Sequence, residues 1–173
     1  KIIDARFDPS PKPAKASSSQ GPHRPELAVD GSTSCRGYWS ADPYPQWWQV
    51  DLERPRLIDS VAVVTYWRGR REYRYRVEVS TDERTWRLVA DQSAEPVRAV
   101  RQGKLHTFRP VEARYVRVTM LWNSANTGVH LTEVRVFACP PHRPVEAPAR
   151  SASAPSVWRS SSCHTVALDH DSI

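Results

Sequence analysis

The feature that most constrains the fold of this chain is an alternation of apolar and polar residues with a period of two. In residues 47–52, for example, Trp48, Val50 and Leu52 occupy alternate positions. Successive side chains of a β-strand point to opposite faces, so such a segment is predicted to be a strand that buries one face. The predicted strands are residues 47–52, 58–66, 75–79, 104–108, 114–120 and 132–136.

Turn-forming residues separate these strands. They occur at Glu53-Arg54-Pro55, at residues 80–83 and at Arg109-Pro110. No segment combines helix caps with amphipathic spacing over the length of a major helix. Several short strands joined by turns predict an all-β fold, specifically an antiparallel β-sandwich.

Aromatic residues mark the position of the domain. Six of the seven tryptophans and all six tyrosines lie between Glu26 and Phe137, and buried aromatic rings offset much of the entropy that a chain loses on folding. The flanking segments are mixtures of Pro, Ala and Ser without periodicity, which is typical of linkers. We therefore predict an N-terminal linker over residues 1–21, a β-sandwich domain over residues 22–138 and an extended or disordered tail over residues 139–173.

Composition excludes several classes of protein. A length of 173 residues fits one domain with tails, and the longest aliphatic run, Val61–Val64, is far short of the roughly 20 residues of a transmembrane helix. The net charge of +6 favours anionic partners. The three cysteines, Cys35, Cys139 and Cys163, contain no CxxC pair, which excludes a zinc ribbon. A disulfide between Cys35 and Cys139 is one hypothesis, and it leaves Cys163 unpaired.

Five stretches of the sequence resemble a known family. They are residues 27–34 (LAVDGSTS), 46–52 (QWWQVDL), 75–86 (YRVEVSTDERTW), 113–120 (ARYVRVTM) and 130–137 (HLTEVRVF). In this order and spacing they are similar to the F5/8 type C, or discoidin, domains and to the related family 32 carbohydrate-binding modules. The resemblance covers about residues 22–138. It implies an eight-stranded, galactose-binding-like jelly roll whose loops at one end bind a ligand.

A structural calcium ion is also implied. Asp30 lies in a predicted tight loop and Glu133 on the last strand, so their carboxylates could converge on a hard cation. By resemblance the ligands would be the Leu27 carbonyl, Asp30, Ser32, Cys35, the Thr132 carbonyl and Glu133. A thiol is a poor ligand for calcium, so Cys35 would contribute only its carbonyl. In the alternative interpretation, Asp30 caps a turn and Glu133 pairs with an arginine.

Two loops combine aromatic rings with forked or bidentate polar groups. Such groups bind sugars, because C–H faces stack on rings while arginine and asparagine hydrogen-bond to hydroxyl or carboxylate groups. In similar modules, loops at these positions contact the ligand. The predicted ligand-binding residues are Tyr66, Trp67, Arg68, Arg70, Tyr73, Trp122, Asn123 and Asn126. In the alternative interpretation, Trp67 and Trp122 pack beneath the loops and the arginines only line the rim.

The residues offer no catalytic arrangement. His23, His106 and His130 are scattered, and neither a G-x-S-x-G nor an H-E-x-x-H motif occurs. Nucleic acid is not an expected partner, because Arg74 and Arg76 alternate with an inward-facing tyrosine instead of lining a groove.

We therefore expect a non-catalytic carbohydrate-binding module that tethers a larger, multidomain secreted enzyme or surface protein to a neutral or anionic polysaccharide. The resemblance implies a secreted, cell-surface or periplasmic location. The alternative within the same fold is a discoidin-type domain that adheres to membrane lipid or to another protein.

Overall fold

A computed structural model describes residues 12–139, which form an eight-stranded antiparallel β-structure. A short 3-10 helix, Pro25–Ala28, precedes the second strand. The strands are β1 (Ala14–Ala16), β2 (Trp39–Ala41), β3 (Gln46–Thr65), β4 (Glu72–Ser80), β5 (Arg87–Asp91), β6 (Val97–Arg98), β7 (Lys104–Asn123) and β8 (Val129–Ala138).

The strands are ordered β2-β8-β3-β7-β4-β5, with β1 added beside β3 and β6 beside β4. Both β3 and β7 are 20 residues long and pair with each other in two blocks. The first half of β3 also pairs with β1, and its second half pairs with β8. Each long strand therefore contributes to both layers of a β-sandwich, and the predicted all-β antiparallel fold is confirmed.

Two predicted turns are interruptions within strands instead. The pairing of β3 with β7 shifts register between Asp51 and Arg56, where Glu53 adopts a φ of 69° and its N–H donates to Asp51 Oδ1 at 2.7 Å. A second shift, between Ile58 and Ser60, lies opposite Pro110. Proline is tolerated at such irregularities because they require no backbone donor. The sequence analysis was therefore wrong to end strands at Pro55 and Pro110.

The core lies between the two layers, as the period of two predicts. Trp48, Val50 and Leu52 are buried, and they meet buried residues of the opposite layer such as Val61 and Val63. Trp39, Tyr73 and Tyr75 are among the largest side chains with almost no exposed surface. Aromatic burial of this kind stabilises the sandwich and fixes the strand ends from which the loops emerge.

The folded part begins before the predicted boundary at residue 22. Strand β1 pairs with β3, with Ala14 opposite Val50, and the Asp51 N–H donates to the Pro13 carbonyl at 2.9 Å. Residues 14–16 therefore belong to the sandwich and not to the predicted linker. Residues 1–11 of that linker, and all of the predicted tail except Cys139, lie outside the described residues. Residues 12–139 contain no helix with the length and apolar character needed to cross a bilayer.

The proposed disulfide does not form. Cys35 and Cys139 are both free thiols. The Cys139 N–H donates to the Leu57 carbonyl at 2.8 Å, whereas Cys35 lies close enough to Tyr38 and Tyr73 to affect their pKa values. The two cysteines therefore have different neighbours in the sandwich. Cys163 lies outside the described residues.

Candidate functional site

Several loops meet at the end of the sandwich where β3 turns into β4. We call this the apical end and define it by the loops 33–38, 66–71 and 124–128. The Ser124 N–H donates to the Glu72 carbonyl and the Glu72 N–H donates to Ser124 Oγ, both at 3.0 Å. The Trp67 indole N–H donates to the Thr33 carbonyl, also at 3.0 Å. These hydrogen bonds connect loops that are distant in the sequence.

Five rings form a cluster at the apical end. We call it the apical aromatic cluster, and it consists of His23, Tyr38, Tyr66, Tyr73 and His130. His23 stacks on Tyr38 with 4.1 Å between ring centroids, and Tyr38 meets Tyr66 edge-on at 4.9 Å. His130 lies 5.7 Å from Tyr66 and 6.2 Å from Tyr73. His23, Tyr38 and Tyr66 are half-buried, whereas Tyr73 and His130 are buried beneath them.

The floor of the cluster is electrically neutral. The Tyr73 hydroxyl and His130 Nδ1 are 3.1 Å apart and form a hydrogen bond. Burial, assisted by the charge of Arg71, lowers the pKa of His130 to about 4. Burial also raises the pKa of Tyr73, although Arg71 opposes that effect. At neutral pH, the formal charge beside the rings is therefore carried by Arg71.

The Arg71 guanidinium lies over the face of the Tyr66 ring. Its guanidinium carbon lies 5.2 Å from the centroid of Tyr66. Its Nη1 atom is buried and has no hydrogen-bond partner among residues 12–139. Arg68 and Arg70 are exposed in the same loop, which turns through Gly69 with a φ of 80°.

Two residues expected to contact a ligand lie inside the protein. Tyr73 is fully buried in the floor of the apical aromatic cluster. Asn123 is 3% exposed, and its Nδ2 donates to Asn126 Oδ1 at 2.7 Å and to the Gly128 carbonyl at 2.8 Å. Asn126 itself is exposed. We therefore correct the expectation of direct contact by Tyr73 and Asn123: they support the loops.

The two loop tryptophans are half-buried and do not face the same surface. Trp67 packs against the core and bonds to Thr33, next to the apical aromatic cluster. Trp122 lies opposite Arg74, whose guanidinium carbon is 5.3 Å from the indole centroid. Because alternate residues of a strand face opposite sides, Arg74 and Trp122 lie on the outer face of the sheet when Tyr73 faces inward. Of the predicted residues, the structure groups Tyr66, Trp67, Arg68 and Arg70 with Asn126, but not Trp122.

Sequence analysis missed four residues of this end, namely His23, Tyr38, Arg71 and His130. His23 and His130 were considered only as scattered histidines, and Tyr38 gave no periodic signal. Arg71 lies in the same loop as Arg68 and Arg70, which were predicted to bind ligand. Their proximity in the sequence could have identified Arg71 as well. The convergence of His23 and His130 on one ring depends on tertiary structure, and no spacing in the sequence encodes it.

The predicted cation ligands include a buried carboxyl group. Glu133 is 1% exposed, and neither its Oε2 nor Thr132 Oγ1 has a hydrogen-bond partner among the described residues. Burial, together with the charge of Asp30, raises the pKa of Glu133 to about 8. Asp30 Oδ1 accepts the Ser32 N–H at 2.8 Å, so Asp30 does cap a turn. The two carboxylates are thus close enough to interact.

This set of donors fits a hard cation. Residues 12–139 contain no cluster of three or more His, Cys, Asp or Glu. Carbonyl and hydroxyl oxygens would therefore have to complete a shell around Asp30 and Glu133, which Ca²⁺ accepts readily. Leu27 lies in the 3-10 helix that precedes Asp30, and Ser32 Oγ already accepts the Ser34 N–H at 3.1 Å. The Cys35 side chain lies near Tyr38 and Tyr73, so its carbonyl is the atom left to contribute.

Solved structures with this architecture bind sugars. The family 32 module of AlyQ, in complex with 4,5-unsaturated mannuronic acid, is 26% identical with a TM-score of 0.62 over 72% of this chain and 93% of that one. A chitosan-binding module from a chitosanase/glucanase of Paenibacillus sp. IK-5 is 26% identical with a TM-score of 0.60 over 73% of this chain and 94% of that one. The family 32 module of C. perfringens NanJ, solved with galactose, shares the fold. It is 22% identical with a TM-score of 0.63 over 75% of this chain and 95% of that one.

Sequence comparison agrees with the architecture. Human BTB/POZ domain-containing protein 9 is 31% identical over 91 residues, which are 53% of this chain and 14% of that protein. The chain thus matches only a small part of its curated relative. The family model of the F5/8 type C domain matches residues 13–134, which include four of the five stretches that carried the resemblance and the first part of the fifth. The chain therefore belongs to the F5/8 type C domain family.

Proposed function

We propose that this domain is a non-catalytic carbohydrate-binding module and that the apical end binds a polysaccharide. The observation that carries the proposal is the half-buried pair Tyr38 and Tyr66, with the Arg71 guanidinium on the Tyr66 ring. The rings offer faces on which the C–H groups of a pyranose can stack. Arg71 offers a polar group on the Tyr66 ring, and the exposed Asn126 offers another in the loop 124–128. The buried Tyr73–His130 pair keeps the floor rigid.

The charge of the apical end favours an acidic polymer. Residues 66–73 contain three arginines and one glutamate, a net charge of +2. A guanidinium can form paired hydrogen bonds with a carboxylate, which a neutral hydroxyl does not reproduce. The AlyQ module, which was solved with a mannuronic acid, supports a uronate ligand. The chitosan-binding relative shows that the fold also serves other sugars, so the loop side chains must decide the preference.

We further propose that Asp30 and Glu133 hold a structural Ca²⁺ with oxygen atoms of Leu27, Ser32, Cys35 and Thr132. The unpaired Glu133 Oε2 and Thr132 Oγ1 support this proposal, because buried oxygens without partners are costly. When bound, such an ion would supply positive charge between the two carboxylates. Its role here would be structural.

The relatives also support a place in a larger protein. AlyQ contains an alginate lyase domain beside its family 32 module, and the present chain matches 31% of the chain that carries both. We propose that this domain likewise tethers a larger secreted or surface protein to a polysaccharide.

Adhesion to lipid is less well supported. Membrane-binding loops need exposed apolar tips. Among residues 12–139 the large apolar side chains that are exposed are Leu57, Leu88, Val100 and Leu105, and none of them belongs to the apical loops.

Isothermal titration with defined polymers tests the proposed function. We expect polymannuronate or polygalacturonate to bind and neutral dextran and anionic lipid vesicles not to bind. Arg71→Ala should weaken uronate binding at least tenfold, since a charge-assisted hydrogen bond contributes about 1.5–3 kcal/mol. Arg87→Ala is the matched control, because Arg87 is exposed on β5. Absence of binding to every polysaccharide, or equal losses in both variants, would contradict the proposal.

A further inference from the structure

The loop that carries Asp30 touches the ligand-binding loop directly. Two contacts connect them: the Trp67 indole N–H donates to the Thr33 carbonyl at 3.0 Å, and Tyr38 meets Tyr66 edge-on at 4.9 Å. Thr33 lies three residues after Asp30, and Trp67 immediately precedes the arginine-rich turn of residues 68–71. A directional hydrogen bond and a ring contact therefore join the two loops.

Local hydrogen bonds make the segment 30–36 behave as a unit. Asp30 Oδ1 accepts the Ser32 N–H at 2.8 Å, Ser32 Oγ accepts the Ser34 N–H at 3.1 Å, and Ser34 Oγ accepts the Arg36 N–H at 3.3 Å. These bonds orient the peptide groups on both sides of Thr33. The orientation of the Thr33 carbonyl therefore depends on where Asp30 is held.

Asp30 lies close to the buried side chain of Glu133. Glu133 is 1% exposed, its Oε2 has no partner among residues 12–139, and the two side chains are near enough to interact. A cation held by both side chains would tie the Asp30 loop to β8.

We propose that Trp67 is a positioning residue that couples cation binding at Asp30 and Glu133 to the order of loop 66–71, and thereby to ligand affinity. The inference rests on the proposed function for its last step and assigns to that site a regulation by Ca²⁺. Coupling of this kind is reciprocal: ligand bound at the apical end must strengthen Ca²⁺ binding by the same factor. Trp67 then acts through Thr33 and Tyr66, and not as a stacking platform.

Hydrogen exchange of the backbone amides of residues 66–71 tests the coupling without any glycan. The protein is compared in CaCl₂ and in EGTA, as wild type and as Trp67→Phe, which keeps an apolar ring but removes the N–H donor. Trp86→Phe is the matched control, because Trp86 is also half-buried and donates to a carbonyl, that of Glu83 at 3.2 Å within its own turn. In wild type and in the control, Ca²⁺ should slow exchange of this loop at least about fivefold, the lower end of typical coupling. In Trp67→Phe the slowing should fall below about twofold.

Two results would overturn the inference. One is equal slowing in wild type and Trp67→Phe; the other is a wild-type loop whose exchange does not respond to Ca²⁺. Titration with polymannuronate adds the last step: wild type should bind more tightly in CaCl₂ than in EGTA, whereas Trp67→Phe should bind alike in both. If the exchange results hold and no polysaccharide binds, the coupling stands and only the proposed function fails.

Discussion

At the scale of single residues, His106 determines part of the pH dependence of stability. It is 7% exposed, its Nε2 lies 2.9 Å from the Tyr75 hydroxyl, and burial lowers its pKa to about 4. The unfolded chain takes up this proton near pH 6.5 and the folded chain does not, so stability is full above pH 6.5 and falls as the pH drops towards 4. The loss from this group at pH 4.5 should be about 2–3 kcal/mol.

Urea unfolding of wild type and His106→Gln at pH 7 and pH 4.5 measures this loss. Glutamine retains a hydrogen-bonding group for Tyr75 but does not titrate. The variant should therefore lose about 2–3 kcal/mol less than wild type between the two pH values. Equal losses in the two proteins would show that His106 is not the titrating group.

Glu133 predicts a response to metal. Its Oε2 is buried without a hydrogen-bond partner among the described residues, which costs stability unless a cation binds it. In EGTA, Glu133→Gln should therefore melt at a higher temperature than wild type, whereas addition of CaCl₂ should raise the melting temperature of wild type only. Differential scanning calorimetry in both buffers measures the two shifts. A wild-type protein whose melting temperature is the same in CaCl₂ and EGTA would remove the calcium proposal.

At the scale of elements, the turn from β6 into β7 depends on a glycine. Gly103 adopts a φ of +75°, and a Cβ atom there would lie 2.6 Å from the Val63 carbonyl oxygen. Gly103→Ala should therefore cost more than about 2 kcal/mol, because backbone overlap adds to the strain of the left-handed conformation. Gly21→Ala is the control, since Gly21 has a φ of +52° and no atom within 4 Å of the added Cβ.

The control should lose only the strain of about 1–2 kcal/mol. Chemical denaturation of both variants gives the comparison. Equal destabilisation of Gly103→Ala and Gly21→Ala would mean that the turn rearranges to accommodate the added methyl group. The close packing of this turn on β3 would then not be essential.

At the scale of the whole molecule, the sequence predicted the layers better than the site. Alternation at Trp48, Val50 and Leu52 indicates which side chains are buried, so the strands and their antiparallel sandwich followed from it. The family followed from the resemblance of five sequence stretches. Pro55 and Pro110 were interpreted as strand ends. They lie within strands instead, because a strand that passes between layers can contain a proline at an irregularity in its pairing.

The apical end was harder to predict because its members are far apart in the chain. The exposed arginines Arg68 and Arg70 could be found from the composition of one loop. The stacking of His23 on Tyr38 could not, since it depends on how the segment before β2 lies across the sandwich. Tyr73 and Asn123 were assigned to the surface because the sequence of a loop does not tell which polar side chains turn inward to support it.

The most direct test of the proposed polysaccharide site is a titration of the isotopically labelled protein with a mannuronate oligosaccharide, followed by amide chemical shifts. The largest shifts should fall in residues 33–38, 66–71 and 124–128, with little change on the outer sheet face around Trp47, Trp86 and Trp122. Arg71→Ala should lose the response. Saturable shifts centred on the outer face, or no shift at millimolar oligosaccharide, would contradict the assignment of the apical end as the binding site.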